Sequence, residues 1–546
     1  MVAAAAAAVA ARANGGDALR AYMRANPLKT AVYLTLAVFG IYLVQVVIRA
    51  LATSLRRWRM LRLVPGPRGG VCGSLGLMST KGDARLRKMR EVTRTYGGES
   101  GMCRLWLGPT SRAVVLCSRP ELFRSVLSDR SGAWEIFERR GLKLLTGTGL
   151  LTSRGAHWKK QRGRISPAFE FAKLKAMLGT MAGATDTLVD HLRDQAAKGE
   201  GGAAPTVDAT KLVQAVTIAV ISSTAFGLDI NPLKDPDHAV LKMLKRAFSG
   251  ETISVVSSSN TANLLGLPMW MVPSMRRVKR DVAELRAVLR ASIERRLHEE
   301  GGDGGDDSKG GEGDEGKAKD LLGLLLAARD EETGERMTTE EVMDEVMTFF
   351  LAGQDTTATL VDWMLRNFVD NPEWCARVVA EIDAHVTPRG RQPVYEDLAS
   401  LEVLDMCMRE TLRRESPVPL LGRVATRDVE LGGFQLPAGT VVLTAPWLVH
   451  HNPDVWGADC DAFDPARFGR DAGGAKKHDY SFMPFSSGMR RCIGANLAML
   501  EAKVMVIRLL QAFEVRGDAS KPPTEADVGI VRRPESVWVK FVPRTD

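Results

Sequence analysis

The chain has 546 residues, 45% of them hydrophobic and 25% charged, with a formal net charge of +9. That length fits two or three ordinary domains or one large enzyme domain, and the dispersed basic residues, with no aromatic-interleaved stripe, argue against nucleic-acid binding. Its seven cysteines, Cys72, Cys103, Cys117, Cys375, Cys407, Cys460 and Cys492, are an odd number without a CxxC pair, which argues against a disulfide framework and for a reducing compartment.

The first predicted element is a membrane anchor. Ala31 to Ile48 carries no charge and is interrupted only by Thr35 and Gln45. As a helix it would span about 27 Å, near the hydrocarbon thickness of a bilayer. Arg49, Arg56, Arg57, Arg59 and Arg62 follow it, while Arg12, Arg20, Arg24 and Lys29, offset by Asp17, precede it. This asymmetry favours a cytosolic globule and an endoplasmic-reticulum anchor. The Ala- and Arg-rich start also fits a plastid or mitochondrial transit peptide, which keeps a plastid membrane as the alternative address. The expected organisation is an Ala/Arg-rich segment at 1–30, an anchor at 31–48, a basic and Pro/Gly hinge at 49–70, and a catalytic domain at 71–546.

Gly101 to Val115 and Gly433 to Pro446 alternate as short strands of a small sheet do. Leu264 to Pro273 is an apolar segment that reads equally as a core turn or as a surface dipping into lipid. Glu300 to Gly316 is built of Gly and acidic residues, with one Lys and one Ser. It has no apolar face to bury and is expected to be a solvated loop.

Thr338 and Glu341 form a capping-box pattern, and Asn371-Pro372 gives a stop. The helix between them is long enough to cross a domain. In its middle stands Ala352-Gly353-Gln354-Asp355-Thr356-Thr357, where a glycine and back-bonding threonines could open the helix into a ligand notch. A shorter helix capped at Asp355 is the alternative, disfavoured by the apolar periodicity on both sides. A further helix starting near Leu401 places Glu410 and Arg413 on one face. Last comes Phe482 to Gly494, FMPFSSGMRRCIG, which holds Cys492 in a loop before an apolar helical segment. The dipole and free amides of that helix should lower the thiol's pKa. A buried structural cysteine is the bland alternative.

The pattern of Phe485, Gly488, Arg490, Cys492 and Gly494 resembles the haem-binding loop of the cytochromes P-450. The resemblance covers residues 60 to 543, with motif order intact. It implies a mainly α fold with a small β-rich subdomain, a large helical domain around haem b, a long central helix and a preceding transmembrane helix. Cys492 would be the axial ligand of the haem iron, in a loop shaped by Phe485 and Gly494. Asp355 and Thr356 match the acid and alcohol that deliver protons to iron-bound dioxygen. Trp158, Arg162, Arg423 and Arg490 match residues that contact the haem propionates. His450 occupies a position that often reaches a propionate, with a satisfied structural histidine the equal alternative. Glu410, Arg413 and Arg467 resemble the family's structural clamp, although Ala466 stands where the family often has Glu.

The implied activity is monooxygenation of a lipophilic small molecule of lipid, sterol, terpenoid or carotenoid class. Electrons would come from NADPH through NADPH-cytochrome P-450 reductase, with cytochrome b5 as a further donor, or ferredoxin in a plastid. Lys159, Lys160 and Arg491 are candidate docking cations for the reductase, with ordinary solvated charge as the alternative. By family position the pocket walls come from Trp134–Leu151, Leu265–Val272, Phe350–Ala352, Val418–Leu421 and Val528–Val531. Two rival functions remain: an isomerase or dehydratase of fatty-acid hydroperoxides, and a non-catalytic haem-binding membrane protein.

Overall fold

The computed structural model describes residues 24–67, 74, 82–106, 113–137, 140–199, 204–256, 274–301, 320–330, 333–470 and 478–545. The predicted solvated loop beyond Gly301 and the apolar segment at 264–273 lie outside these residues. The chain divides into a unit at Met1–Leu63 and a second at Val64–Asp546.

Among the described residues, the first unit is one helix, α1 (Pro27–Leu61), the only helix long and apolar enough to cross a membrane. Pro27 starts it, where a missing N–H costs nothing. It runs past the apolar core of the anchor through the arginines expected to form a hinge. Ala, Leu and Arg sustain a helix, and no breaker occurs before Pro65. Arg62 lies over the Trp58 ring at 5.0 Å.

The second unit is mainly helical with a small sheet. Five of its helices position the site: α2 (Gly155–Ile165), α3 (Ala209–Phe226), α4 (Thr339–Asp370), α5 (Glu402–Arg414) and α6 (Ala495–Ala512). The central α4 begins with the predicted capping box, in which the Glu341 amide donates to Thr338 Oγ1 at 3.2 Å and the Thr338 amide to Glu341 Oε2 at 2.9 Å. It is one unbroken helix through Gly353 and Thr356. A Cβ on Gly353 would stand 3.3 Å from Ile221 of α3. The glycine therefore serves close packing of α3 on α4, and no notch opens. Thr356 Oγ1 donates to the Ala352 carbonyl at 2.6 Å without breaking the helix.

The small sheet has the order β1 (Met102–Trp106), β2 (Ala113–Cys117), β5 (Val441–Thr444), β4 (Leu421–Ala425) and β3 (Trp134–Ile136). All pairs are antiparallel except β2 with β5. Ile136 of the edge strand β3 stands opposite Arg423 of β4. A separate two-stranded ladder joins β6 (Ala526–Val528) to β7 (Arg532–Pro534). Buried aliphatic and aromatic side chains from all five helices form one continuous core beneath these elements.

Candidate active site

The cysteine loop is closed by the Cys492 amide donating to the Phe485 carbonyl at 2.9 Å and the Arg491 amide to Gly488 at 3.1 Å. Gly488 has φ +70°, and a Cβ there would overlap the Leu127 carbonyl, so only glycine fits. Gly494 caps α6, which begins at Ala495, and its amide bonds back to the Cys492 sulfur. Cys492 is exposed, whereas the other described cysteines are buried or half-buried. Protein nonetheless surrounds the sulfur, and that desolvation raises its pKa, against the lowering by Gly494, Arg162 and Arg491. The lowered thiol pKa expected from the helix dipole alone is thus corrected: desolvation outweighs it. A metal ion would deprotonate the thiol outright.

Beside the loop stands a cluster of cations. Arg490 donates to the Ser153 carbonyl at 2.9 Å and to Glu135 at 3.1 Å, and lies 4.0 Å over the Trp158 ring. Burial, with Arg423 and Arg154 nearby, pushes its pKa down to about 10 against the pull of Glu135. Three guanidiniums thus face one carboxylate, an arrangement that favours a dianion. The two carboxylates of haem satisfy that demand, and Cys492 supplies a soft ligand for its iron. The residues present fit the group. Arg162 donates to the Arg491 carbonyl at 3.0 Å and acts on Cys492. Arg154 and Glu135 were not singled out from sequence, because neither sits in a spaced motif.

Across from the loop, Ala352, Asp355 and Thr356 of α4 line one cavity of about 230 Å³ together with Ser486, Arg490 and Arg423. Leu151, Leu351, Val418 and Val531 are among its apolar walls, in four of the five expected wall segments, while Leu265–Val272 lies outside the described residues. Asp355 is raised in pKa by burial, with Arg533 at 3.6 Å and the Gln214 amide at 3.4 Å pulling it back. A larger cleft of about 760 Å³ opens elsewhere among Arg90, Arg119 and His451. It contains none of the residues the motifs single out except the neighbourhood of His450, so size does not identify the site.

Below the loop, Glu410 and Arg413 are fully buried and bidentate, both bonds at 2.7 Å. Arg467 reaches Glu410 only at 3.6 Å and bonds the Trp456 and Asp459 carbonyls and the Asp459 carboxylate. His450 does not face the cavity. Its Nδ1 lies 2.8 Å from Ser416 Oγ, and its Nε2 accepts from the Met483 amide at 3.0 Å. Burial lowers its pKa to about 3. The structural reading of His450 replaces its assignment to a propionate, since both ring nitrogens are already engaged. Of the proposed docking cations, Lys160 is paired with Glu335 at 2.9 Å, while Lys159 and Arg491 are exposed.

Residues 64–541 match the family model described as Cytochrome P-450. Cytochrome P-450 734A5 of Oryza sativa subsp. japonica is 33% identical over 470 residues, covering 83% of each chain. Human cytochrome P-450 4F8 is 29% identical, covering 89% of this chain and 91% of its own. Among solved structures, the cytochrome P-450DA haem domain superposes with a TM-score of 0.73 at 25% identity, over 88% of this chain and 97% of that one.

Proposed function

This chain belongs to the cytochrome P-450 family, haem-dependent monooxygenases, and we propose that it hydroxylates a lipid, sterol, terpenoid or carotenoid at the endoplasmic-reticulum membrane. Electrons would come from NADPH through NADPH-cytochrome P-450 reductase. The observation that carries this reading is the shared cavity, which sets the acid and alcohol of α4 across from the cysteine loop.

In this reading Cys492 holds the haem iron, Arg423, Arg490 and Arg154 hold the propionates, and Trp158 braces Arg490. Bound haem supplies oxygen activation, favoured by thiolate donation from Cys492. One oxygen atom enters the substrate and the other leaves as water, with two electrons and two protons consumed. Thr356 spends its own proton on the Ala352 carbonyl, so its oxygen offers lone pairs to the cavity and can hold a proton-bearing water. Asp355 keeps its proton to higher pH than an exposed aspartate and can pass it to that water. The apolar walls exclude bulk water. Glu410, Arg413 and Arg467 act by holding the fold beneath the loop.

Purified enzyme with reductase and NADPH should consume oxygen and form hydroxylated product with a member of a lipophilic library. Conversion of a fatty-acid hydroperoxide without NADPH would instead establish the isomerase or dehydratase.

A further inference from the structure

Arg532 and Arg533 are successive residues of β7 and so point to opposite faces. Arg532 is spent: it is bidentate to Asp83 at 2.7 Å and paired with Glu415. Arg533 lines the cavity, yet among the described residues it makes no hydrogen bond. Its ion pairs are long, 3.6 Å to Asp355 and 4.0 Å to Asp527. A guanidinium carries five N–H donors, and with 36% of its side chain exposed beside an apolar wall of Ile253, Ile530 and Val531, those of Arg533 are open to water or a ligand rather than taken by the chain. Arg533 is not among the charges that act on Arg490, which are Glu135, Arg423 and Arg154.

We propose that Arg533 selects the substrate, donating hydrogen bonds to an uncharged oxygen, a keto or hydroxyl group, on an otherwise apolar ligand. The charge count favours the uncharged group. Asp527 already balances Arg533, and a ligand carboxylate would add a negative charge beside Asp355 and Asp527. The inference rests on the cavity being the substrate pocket of a P-450.

The test compares decalin, 2-decalone and decalin-2-carboxylate as ligands of the haem-loaded full chain, by equilibrium dialysis and by haem difference spectra. Wild type should bind 2-decalone about tenfold or more tighter than decalin. Arg533→Met should erase that preference while leaving decalin affinity unchanged. Arg533→Leu, which likewise removes every side-chain N–H, is the second variant if Arg533→Met does not fold. Equal binding of decalin and 2-decalone by wild type overturns the proposal. So does a preference that survives substitution, or tightest binding of the carboxylate. The reduced carbon-monoxide spectrum of the same preparation separates the two levels. A thiolate-type spectrum without Arg533-dependent selectivity defeats only this inference, whereas its absence defeats the P-450 reading of Cys492.

Discussion

Arg413 and Arg533 hold the same charge under opposite terms. Arg413 is fully buried and makes five hydrogen bonds, two to Glu410 and one each to the carbonyls of His450, Cys460 and Ala462. Arg533 makes none among the described residues, and Arg490 keeps two partners amid repelling cations. Where every donor is satisfied by the chain itself, the charge serves the fold. Where donors remain over, the charge is available to something that binds. The contrast separates scaffold from site more sharply than burial does, because Arg490 is well covered too.

The largest effect should come from breaking the satisfied pair. Arg413→Met leaves Glu410 buried without its partner and should cost about 3–5 kcal/mol, read by chemical denaturation and by soluble yield. Cys492→Ala should abolish monooxygenation and the thiolate-type carbon-monoxide spectrum while the denaturation midpoint hardly moves; a collapse of the fold would place the cysteine with the scaffold instead. Thr356→Ala should retain haem but cut product by about a hundredfold, in the range for a proton-transfer group, with electrons diverted to hydrogen peroxide. Unaltered coupling would remove Thr356 from proton delivery. Arg490→Gln should weaken haem retention by about tenfold, measured by haem transfer to an acceptor protein, without destabilising the apoprotein.

The last effect, read as a slope with pH, concerns a carboxyl that belongs to neither class. Glu501 of α6 is buried, its Oε1 has no partner among the described residues, and burial raises its pKa from 4.5 to about 8. A raised folded-state pKa means the native state binds the proton more tightly. Its stabilising contribution is therefore complete below pH 4.5 and is lost as pH rises toward 8. Glu501→Gln should flatten that decline, as seen by comparing denaturant midpoints at pH 5 and pH 8.

Local patterns made much of this legible in the sequence. The capping box at Thr338, the stop at Asn371 and the Glu410–Arg413 face all depend on neighbours within four positions, and the structure places each accordingly. Misreadings arose where a distant element decides. Gly353 reads as a flaw in a helix until Ile221 of α3 is set against it. The thiol of Cys492 reads as dipole-activated until the surrounding protein is counted. Arg154, Glu135 and Arg533 carry no motif, and their importance lies in which other charges the fold brings near them. His450 sits in the expected place, but its orientation toward Ser416 and Met483 is a tertiary fact.

The exposure of Cys492 has a practical side. Among the described cysteines Cys492 alone is an exposed residue, while Cys103, Cys117, Cys407 and Cys460 are buried. Desolvation lifts the Cys103 thiol to about 11 and Cys117 higher still, so both stay protonated and slow toward alkylating reagents. The Cys492 thiol is raised as well, so its advantage is access: a mild maleimide should tag the apoprotein there before these four, and haem bound there should block the tag. The residue becomes a footprint of its own occupancy, countable by mass without any spectrum.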